Sequence, residues 1–256
     1  MHRFYLPPAE CAGDRLLLRD REAHHAAHVL RLRPGDDVTV LDGEGGELQC
    51  KVERVSRKEI ELAVRERRKQ PPPVDEITLL QAIVKGKTME IIIQKATELG
   101  VTRIVPLQTE RVVAHLDNER GENKHAKWQL TAIEAIKQCG SAWLPRIDAP
   151  VTPAAFLKRN EKFDLSLVGS LAGDGRHSRH WFEMVAKARS AAPRNICMWI
   201  GPEGDFTIAE LEAIRSSGAK PITLGRLILR ADTAAIYSLA TIRHELAWLN
   251  ATGSKL

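Results

Sequence analysis

Apolar and polar residues alternate in short stretches over residues 1–70. Asp36–Leu41 (DDVTVL), Glu47–Val55 (ELQCKVERV) and Glu59–Val64 (EIELAV) each carry the two-residue period of a half-buried strand over part of their length. Asp42-Gly43-Glu44-Gly45-Gly46 between the first two has the composition of a hairpin turn. A short helix is predicted near Asp20–Arg31, and a small β-barrel is the natural closure for the strands. The charged run Arg65–Gln70 and the prolines 71–73 are expected to hold neither helix nor central strand. They mark a boundary between a first domain, 1–70, and a second, 74–256.

Beyond the prolines the pattern changes. Ile77–Val84 is a continuous apolar run, the signature of a strand covered on both faces. Met89, Ile92, Ile93, Ala96 and Leu99 then fall on one helical face, and Gly100 follows as a stop. Strands are predicted at Val101–Leu107, Asp164–Val168, Asn195–Ile200 and Lys220–Leu224. Helices are predicted near Ala126–Gln138 and His180–Ala191, from a capping box at Thr207–Glu210 to Ser217, and over Asp232–Leu249. This alternation predicts an α/β domain with a mostly parallel sheet.

Composition narrows the class. The 256 residues are 43% hydrophobic and 28% charged, an ordinary profile that argues against disorder. No run approaches the ~18 apolar residues of a membrane span, and the start, MHRFYLPP, lacks the apolar stretch of a signal peptide. Four scattered cysteines without a C-x-x-C disfavour a disulfide framework or zinc ribbon and make the cytoplasm the expected compartment. The balance of 38 basic to 33 acidic residues is compatible with a polyanionic partner without requiring one.

Ligands of parallel sheets sit at the carboxyl ends of strands. Three such ends are unusual here: Leu167–Gly173 (LVGSLAG), Trp199–Phe206 (WIGPEGDF) and Thr223–Ala234 (TLGRLILRADTA). Their glycines permit close approach to the backbone, and Leu227, Ile228 and Leu229 stand where a loop is ordinarily polar. Tight turns with core packing would account for the same residues. No G-x-G-x-x-G follows a strand. Gly86-Lys87-Thr88 imitates the end of a P-loop, but Gln81 stands where its first glycine belongs. His24, His25 and His28 lie close on the predicted helix without another ligand type nearby, so no metal is expected. Cys139 reads as a small buried hydrophobe.

IGPEGDF at 200–206 and LGRLILRADTA at 224–234 resemble two signatures of the ribosomal RNA small subunit methyltransferase E family. So do IIIQKATELGV at 91–101, TERVV at 109–113, EAIKQCG at 134–140 with Pro145, HVLRLRPGD at 28–36 and DGEGG at 42–46. The matches run in order along essentially the whole chain. The resemblance implies a trefoil-knotted SPOUT domain preceded by a PUA-like barrel. It implies S-adenosylmethionine as cofactor, and as substrate N3 of a uridine in 16S rRNA, position 1498 in RNA numbering. It further implies action on the 30S subunit, a homodimer, and neither membrane nor metal.

By this resemblance the cofactor lies among Leu167, Gly169 and Leu171 of the first loop and Ile200, Gly201 and Gly204 of the second. Leu224, Gly225, Leu227, Leu229 and Ala234 of the third complete the set. Arg230 is the candidate for stabilising a uracil anion, and Glu203 or Asp232 for taking the N3 proton. Plainer roles compete: an Arg230–Asp232 ion pair, Glu203 orienting a turn, and Asp232 capping the last helix. Arg3, His25, Arg31, Arg33, Lys95 and Arg111 are the RNA-binding candidates, each with solvated surface charge as its alternative. The chain departs from the family at Asp232 (usually Glu), Asp205 (usually Gly), Ser141 (usually Arg) and Thr88 (usually basic). These departures keep two alternatives open: an RNA-binding assembly factor with impaired activity, or a SPOUT enzyme acting on a different RNA atom.

Overall fold

The computed structural model describes residues 2–56, 58–111, 118–171 and 174–252. The chain divides into two units, one of Met1–Pro72 with Ala132–Leu144, the other of Pro73–Thr131 with Pro145–Leu256.

The first unit is built on strands β1 (His2–Tyr5), β2 (Arg15–Arg19), β3 (Asp37–Leu41), β4 (Gly46–Val55) and β5 (Glu59–Lys69). They form one sheet in the order β1-β3-β4-β5-β2, with only the β1–β3 pair parallel. Register shifts at Gln49/Cys50 and Val52/Arg54 mark irregularities of the bulge type, which bend a strand and increase its twist. The sheet wraps a core of Phe4, Leu16, Leu18, Val38, Val40, Cys50, Val52, Ile60 and Leu62. Asp42 closes the β3–β4 turn by accepting the Glu44 and Gly46 amides, each at 2.7 Å.

Two local expectations are corrected here. The strand predicted to end at Val64 continues to Lys69, where Glu66–Lys69 pairs with Gly46–Gln49 of β4 as an edge ribbon and not a central strand. The ribbon's side chains are solvated, so charge does not oppose pairing, and Arg67 turns back to the carbonyls of Cys11 and Gly13 at 2.6 and 2.7 Å. The predicted helix at 20–31 is a five-residue α1 (Asp20–His24) that widens into a π turn, His25–Val29. It ends before Arg31, whose φ of 54° is left-handed.

The second unit carries a six-stranded, wholly parallel sheet. Its strands are β6 (Glu76–Ala82), β7 (Arg103–Leu107), β8 (Arg146–Ile147), β9 (Leu165–Gly169), β10 (Asn195–Ile200) and β11 (Lys220–Ile222). Their order is β11-β9-β10-β6-β7-β8. The helices are α2 (Thr88–Glu98), α3 (Asn118–Cys139), α4 (Pro153–Lys158), α5 (Ser178–Arg189), α6 (Ile208–Ser216) and α7 (Ala231–Thr252). The last turns of α3 belong to the first unit, where the buried Lys137 ammonium meets Glu22 at 2.7 Å.

Alternation along the strands gives the parallel sheet two apolar faces. Leu80, Val105, Leu107, Val168, Cys197 and Trp199 face one way and pack with Phe156 of α4 and Ile214 of α6. On the other face lie Leu79, Leu167 and Met198, and α7 packs there on β10 and against α2 and α5. At the amino ends of the strands, Arg103 bridges Asp148 at 2.6 Å and Glu161 at 2.5 Å. Its guanidinium holds both carboxyls below their ordinary range, against the opposing effect of burial. Among the described residues no helix is long and apolar enough to cross a membrane, and no His/Cys/Asp/Glu group is placed to hold a metal.

Candidate active site

The carboxyl ends of β9, β10 and β11 deliver three loops to one cleft. Gly169, Ser170 and Leu171 come from the first, and Ile200, Gly201, Pro202, Glu203 and Asp205 from the second. Leu224, Gly225, Leu227, Ile228 and Leu229 come from the third, with Ala231 and Ala234 of α7. The enclosed part measures about 80 Å³, less than the roughly 300–1,000 Å³ of closed small-molecule pockets. A nucleoside held here would therefore rest partly against open walls, and those walls are apolar. Leu227 and Ile228 are 79% and 81% exposed. Adjacent exposed aliphatic side chains at a cleft mark a surface awaiting a ligand or partner.

A larger cavity, about 430 Å³, lies at the other end of the sheet beside Ser166, Cys197 and Trp199. Size favours it, but its chemistry does not. Glu161 is taken by Arg103, Asp164 by Arg189 at 2.7 Å, and Lys162 by Asn160 at 2.8 Å. Burial pushes the Cys197 thiol up to about 12, so it is inert at neutral pH. The smaller cleft stands where open parallel sheets bind their ligands.

Local bonds shape each loop. Arg215 of α6 clamps the first loop by donating to Ser170 Oγ at 3.0 Å and pairing with Asp174 at 2.8 Å. Ser170 N donates to Ile222 O at 3.1 Å, tying this loop to β11. In the second, Asp205 N closes a turn onto Pro202 O at 2.9 Å. A Cβ on Gly201 would meet Asp205 Oδ1 at 3.0 Å and Phe206 N at 3.3 Å, so glycine lets that turn fold over its own strand. Thr207 and Glu210 form the predicted capping box that starts α6. The third loop makes few internal bonds. Gly225 has a φ of 110°, and a Cβ there would meet nothing within 4 Å, so glycine is required by the backbone and not by crowding.

Asp205 explains one departure from the family. Its φ is 59°, in the left-handed region that favours glycine. The carboxylate compensates by accepting the Phe206 amide at 2.8 Å. Asp205→Ala keeps the strain and loses the bond, so thermal unfolding should show a loss of about 1 kcal/mol. Asp205→Gly loses both and should lie within about 0.5 kcal/mol of wild type, the two effects nearly cancelling.

The candidate reactive groups lie on or beside this cleft. Arg230 sits between Leu229 and Ala231, its side chain 79% exposed, with Nε 3.6 Å from Asp232 Oδ1. Its carbonyl accepts the Ala234 amide at 2.8 Å and so begins α7. Asp232 lies inside the first turn of that helix, where its carboxylate accepts the Thr233 amide at 3.0 Å. Glu203 is exposed on the Pro202–Asp205 turn, and no ion pair engages it among the described residues.

Other predicted residues lie elsewhere or have partners. Leu167 is fully buried, two residues deeper in β9 than Gly169, and Gly204 does not line the cleft. Instead Gly204 O accepts from Arg111 Nη1 at 2.7 Å, while Glu110 N donates to Glu210 at 3.0 Å. The segment after β7 thus braces the second loop. Val112 and Val113 of the TERVV match, and Ala172 and Gly173 of the first loop, lie outside the described residues. Lys95 pairs with Glu98 at 2.8 Å. Thr88 is the first residue of α2.

In the first unit, Arg3 donates to the carbonyls of Lys137 and Gln138 at the end of α3, at 3.3 and 3.2 Å. Ser141 bonds locally to Trp143, its Oγ donating to Trp143 O at 2.9 Å. His25 packs edge-on to Phe4 with ring centroids 6.5 Å apart. Arg31 and Arg33 are exposed, with no ion pair among the described residues.

Residues 70–243 match the family model of an RNA methyltransferase domain, and residues 18–65 that of an RNA methyltransferase PUA domain. The ribosomal RNA small subunit methyltransferase E of Synechocystis is 33% identical over 94% of this chain and 77% of its own length. The Bacillus subtilis protein of that name is 30% identical over 88% of each. A Legionella pneumophila methyltransferase solved with bound SAM has a TM-score of 0.84 at 32% identity, covering 94% of this chain and 96% of its own. The Neisseria gonorrhoeae ribosomal RNA small subunit methyltransferase E bound to S-adenosyl methionine has a TM-score of 0.82 at 27% identity, covering 95% and 97%. With the parallel sheet and the preceding PUA-like sheet as the motifs implied, this chain belongs to the ribosomal RNA small subunit methyltransferase E family of RNA methyltransferases.

Proposed function

We propose that the protein uses S-adenosylmethionine to methylate N3 of a uridine near the 3′ end of 16S rRNA, on the 30S subunit and in the cytoplasm. The observation that carries this reading is the cleft itself: backbone bends and apolar walls suited to a nucleoside, with an exposed guanidinium and an exposed carboxylate on its rim. The glycines admit close approach of the ligand to main-chain donors and acceptors. Leu171, Ile200, Leu224 and Leu227 supply flat apolar contact for an adenine. Bound there, S-adenosylmethionine supplies an electrophilic methyl group on a sulfonium.

The chain's own residues must then prepare uracil N3, a poor nucleophile while it carries its proton. Glu203 is the better placed acceptor, since the Asp232 carboxylate is already engaged by the Thr233 amide and Arg230. As the proton moves to Glu203, negative charge spreads onto uracil O2 and O4. Arg230 faces that charge, and its planar fork of donors suits a carbonyl oxygen. With its proton on Glu203 and its charge faced by Arg230, uracil N3 would present a lone pair to that methyl group, the cleft loops holding donor and acceptor in line. In water the guanidinium would contribute little, so docking of the RNA must cover the cleft for Arg230 to act. Apolar Leu227, Ile228 and Tyr237, all exposed on the third loop and α7, support a homodimer in which a second copy covers part of this face.

The test is to incubate purified protein with methyl-labelled S-adenosylmethionine and 30S subunits lacking the modification, then digest the RNA to nucleosides. Label in 3-methyluridine is the expected result. Label in a ribose-methylated nucleoside would replace this reading with that of a 2′-hydroxyl enzyme.

A further inference from the structure

Along β11, the edge strand whose carboxyl end leads into the cleft, a cluster of cations is organised around one indole; its Lys220, at the start of that strand, also borders the larger cavity. Trp181 of α5 is half-buried, and its Nε1 donates to Pro221 O of β11 at 3.0 Å, which fixes the ring against the edge strand. Lys220 Nζ lies 5.6 Å and the Arg176 guanidinium 5.8 Å from the ring centroid, both within cation–π range. His180 packs edge-on to the same ring at 4.9 Å and accepts from Arg176 Nη1 at 2.9 Å. Neither Arg176 nor Lys220 has a carboxylate partner among the described residues. Asp174, close in sequence, is spent on Arg215, and Glu245 of α7 on Arg179. Glu183, the next carboxylate along α5, pairs with neither cation.

An ordinary surface lysine or arginine is a mobile side chain that loses rotamer freedom on gripping an anion. Here the indole holds two cations in place beforehand, so less is lost on binding. The guanidinium spends one donor on His180 and keeps the others. Unneutralised and gathered on one indole, these groups are a site for a polyanion.

Their position specifies which anion. Arg176 bridges Ile222, its carbonyl accepting the Thr223 amide at 3.1 Å, and Thr223 leads directly to Leu224 and Gly225 of the cleft. Ser170 of the first loop bonds the same Ile222. An anion held by Arg176 therefore lies along the strand that delivers the third loop. We propose that Arg176, Lys220 and His180, organised on Trp181, bind backbone phosphates of the RNA flanking the target nucleotide. Phosphate contacts set register without reading sequence, which a base held in a cleft requires of its neighbours. The inference rests on the substrate being RNA and is independent of which base atom is methylated.

The test uses the full-length protein and a mixed-sequence single-stranded oligoribonucleotide, with affinity measured over a salt series. The double variant Arg176→Glu with Lys220→Glu is expected to weaken binding at least tenfold. It should also flatten the slope of log affinity against log salt by about 1.4, two single-strand phosphate contacts at ~0.7 each. S-adenosylmethionine affinity by calorimetry should be unchanged. Trp181→Leu, which keeps both charges and frees them, should weaken RNA binding less and leave the slope nearly unaltered. If the double variant disturbs folding, Arg176→Gln with Lys220→Gln removes the charges without reversing them, and the same flattened slope is expected. Wild-type affinity and slope in a folded charge variant would overturn the proposal. Altered RNA binding with no 3-methyluridine formed would keep it and reject only the base assignment.

Discussion

Arg230→Ala is expected to lower kcat for rRNA methylation by about 10²–10³-fold, the usual cost of deleting one preorganised donor to a developing anion. Affinity for S-adenosylmethionine should barely change, because the Arg230 side chain is 79% exposed and its structural contribution, the carbonyl that accepts Ala234 N, survives in alanine. Affinity for 30S subunits should fall modestly, through loss of one cation. The split between kcat and affinity is the informative readout. If Arg230 only paired with Asp232, deletion would cost little, since an exposed pair at 3.6 Å is worth ~0–1 kcal/mol. Arg230→Lys should recover part of the rate, because a point charge replaces the charge without the fork.

The second large effect is structural. A Cβ on Gly175 would stand 2.6 Å from both Ile222 C and Thr223 N and 2.8 Å from Ile222 O. All three are backbone atoms, so no rotamer change relieves the clash. Gly175→Ala must push the first loop away from β11 and with it open the bridge between Arg176 and Ile222. Overpacking of this kind costs about 1–3 kcal/mol, and the backbone obstruction puts it at the upper end. Because Gly169–Leu171 and Leu224–Gly225 both line the cleft, cofactor affinity should fall at least tenfold along with the thermal midpoint. Gly13→Ala is the matched control, its nearest contact being an ordinary 3.5 Å. It should change neither.

Much of the second unit was legible because parallel strands buried on both faces are written as nearly continuous apolar runs, as in Ile77–Val84, interrupted only by the buried Thr78 and Gln81, and Ile196–Ile200. β1 and β8 were missed because four and two residues are too few to display a period. β2 was missed because three consecutive leucines fit strand or helix alike. The extension of β5 over Arg65–Lys69 was missed because a charged run reads as the end of a strand, whereas an edge ribbon solvated on both faces tolerates the charge. The return of residues 132–144 to the first unit leaves no trace in periodicity, since it depends on partners such as Glu22 for Lys137, far apart in sequence.

The cleft was legible in outline for a different reason. Glycines and aliphatic residues in strand-end loops drew attention to it, and since tight turns with core packing would account for the same residues, it was the ordered family motifs that singled out these loops. What sequence could not separate was free from committed cations. Arg3 and Arg111 look no different in sequence from Arg31 and Arg33. In the structure the first two hold carbonyls of α3 and of Gly204, and the second two face solvent. Arg176 and Lys220 escaped notice because their common feature, one indole between them, is a matter of tertiary structure. Asp205 shows the converse, a departure from the family's glycine that keeps the left-handed backbone and repays part of its cost with one hydrogen bond.

The central claim is that this cleft and its guanidinium methylate uracil N3 in 16S rRNA. The most direct measurement is mass-spectrometric mapping of 16S rRNA from a strain deleted for this protein and complemented either with the wild type or with Arg230→Ala. The account predicts that one 3-methyluridine near the 3′ end disappears on deletion, returns with the wild type and returns weakly or not at all with the variant. A 3-methyluridine that persists in the deletion strain without a second such enzyme, or full restoration by Arg230→Ala, would contradict it.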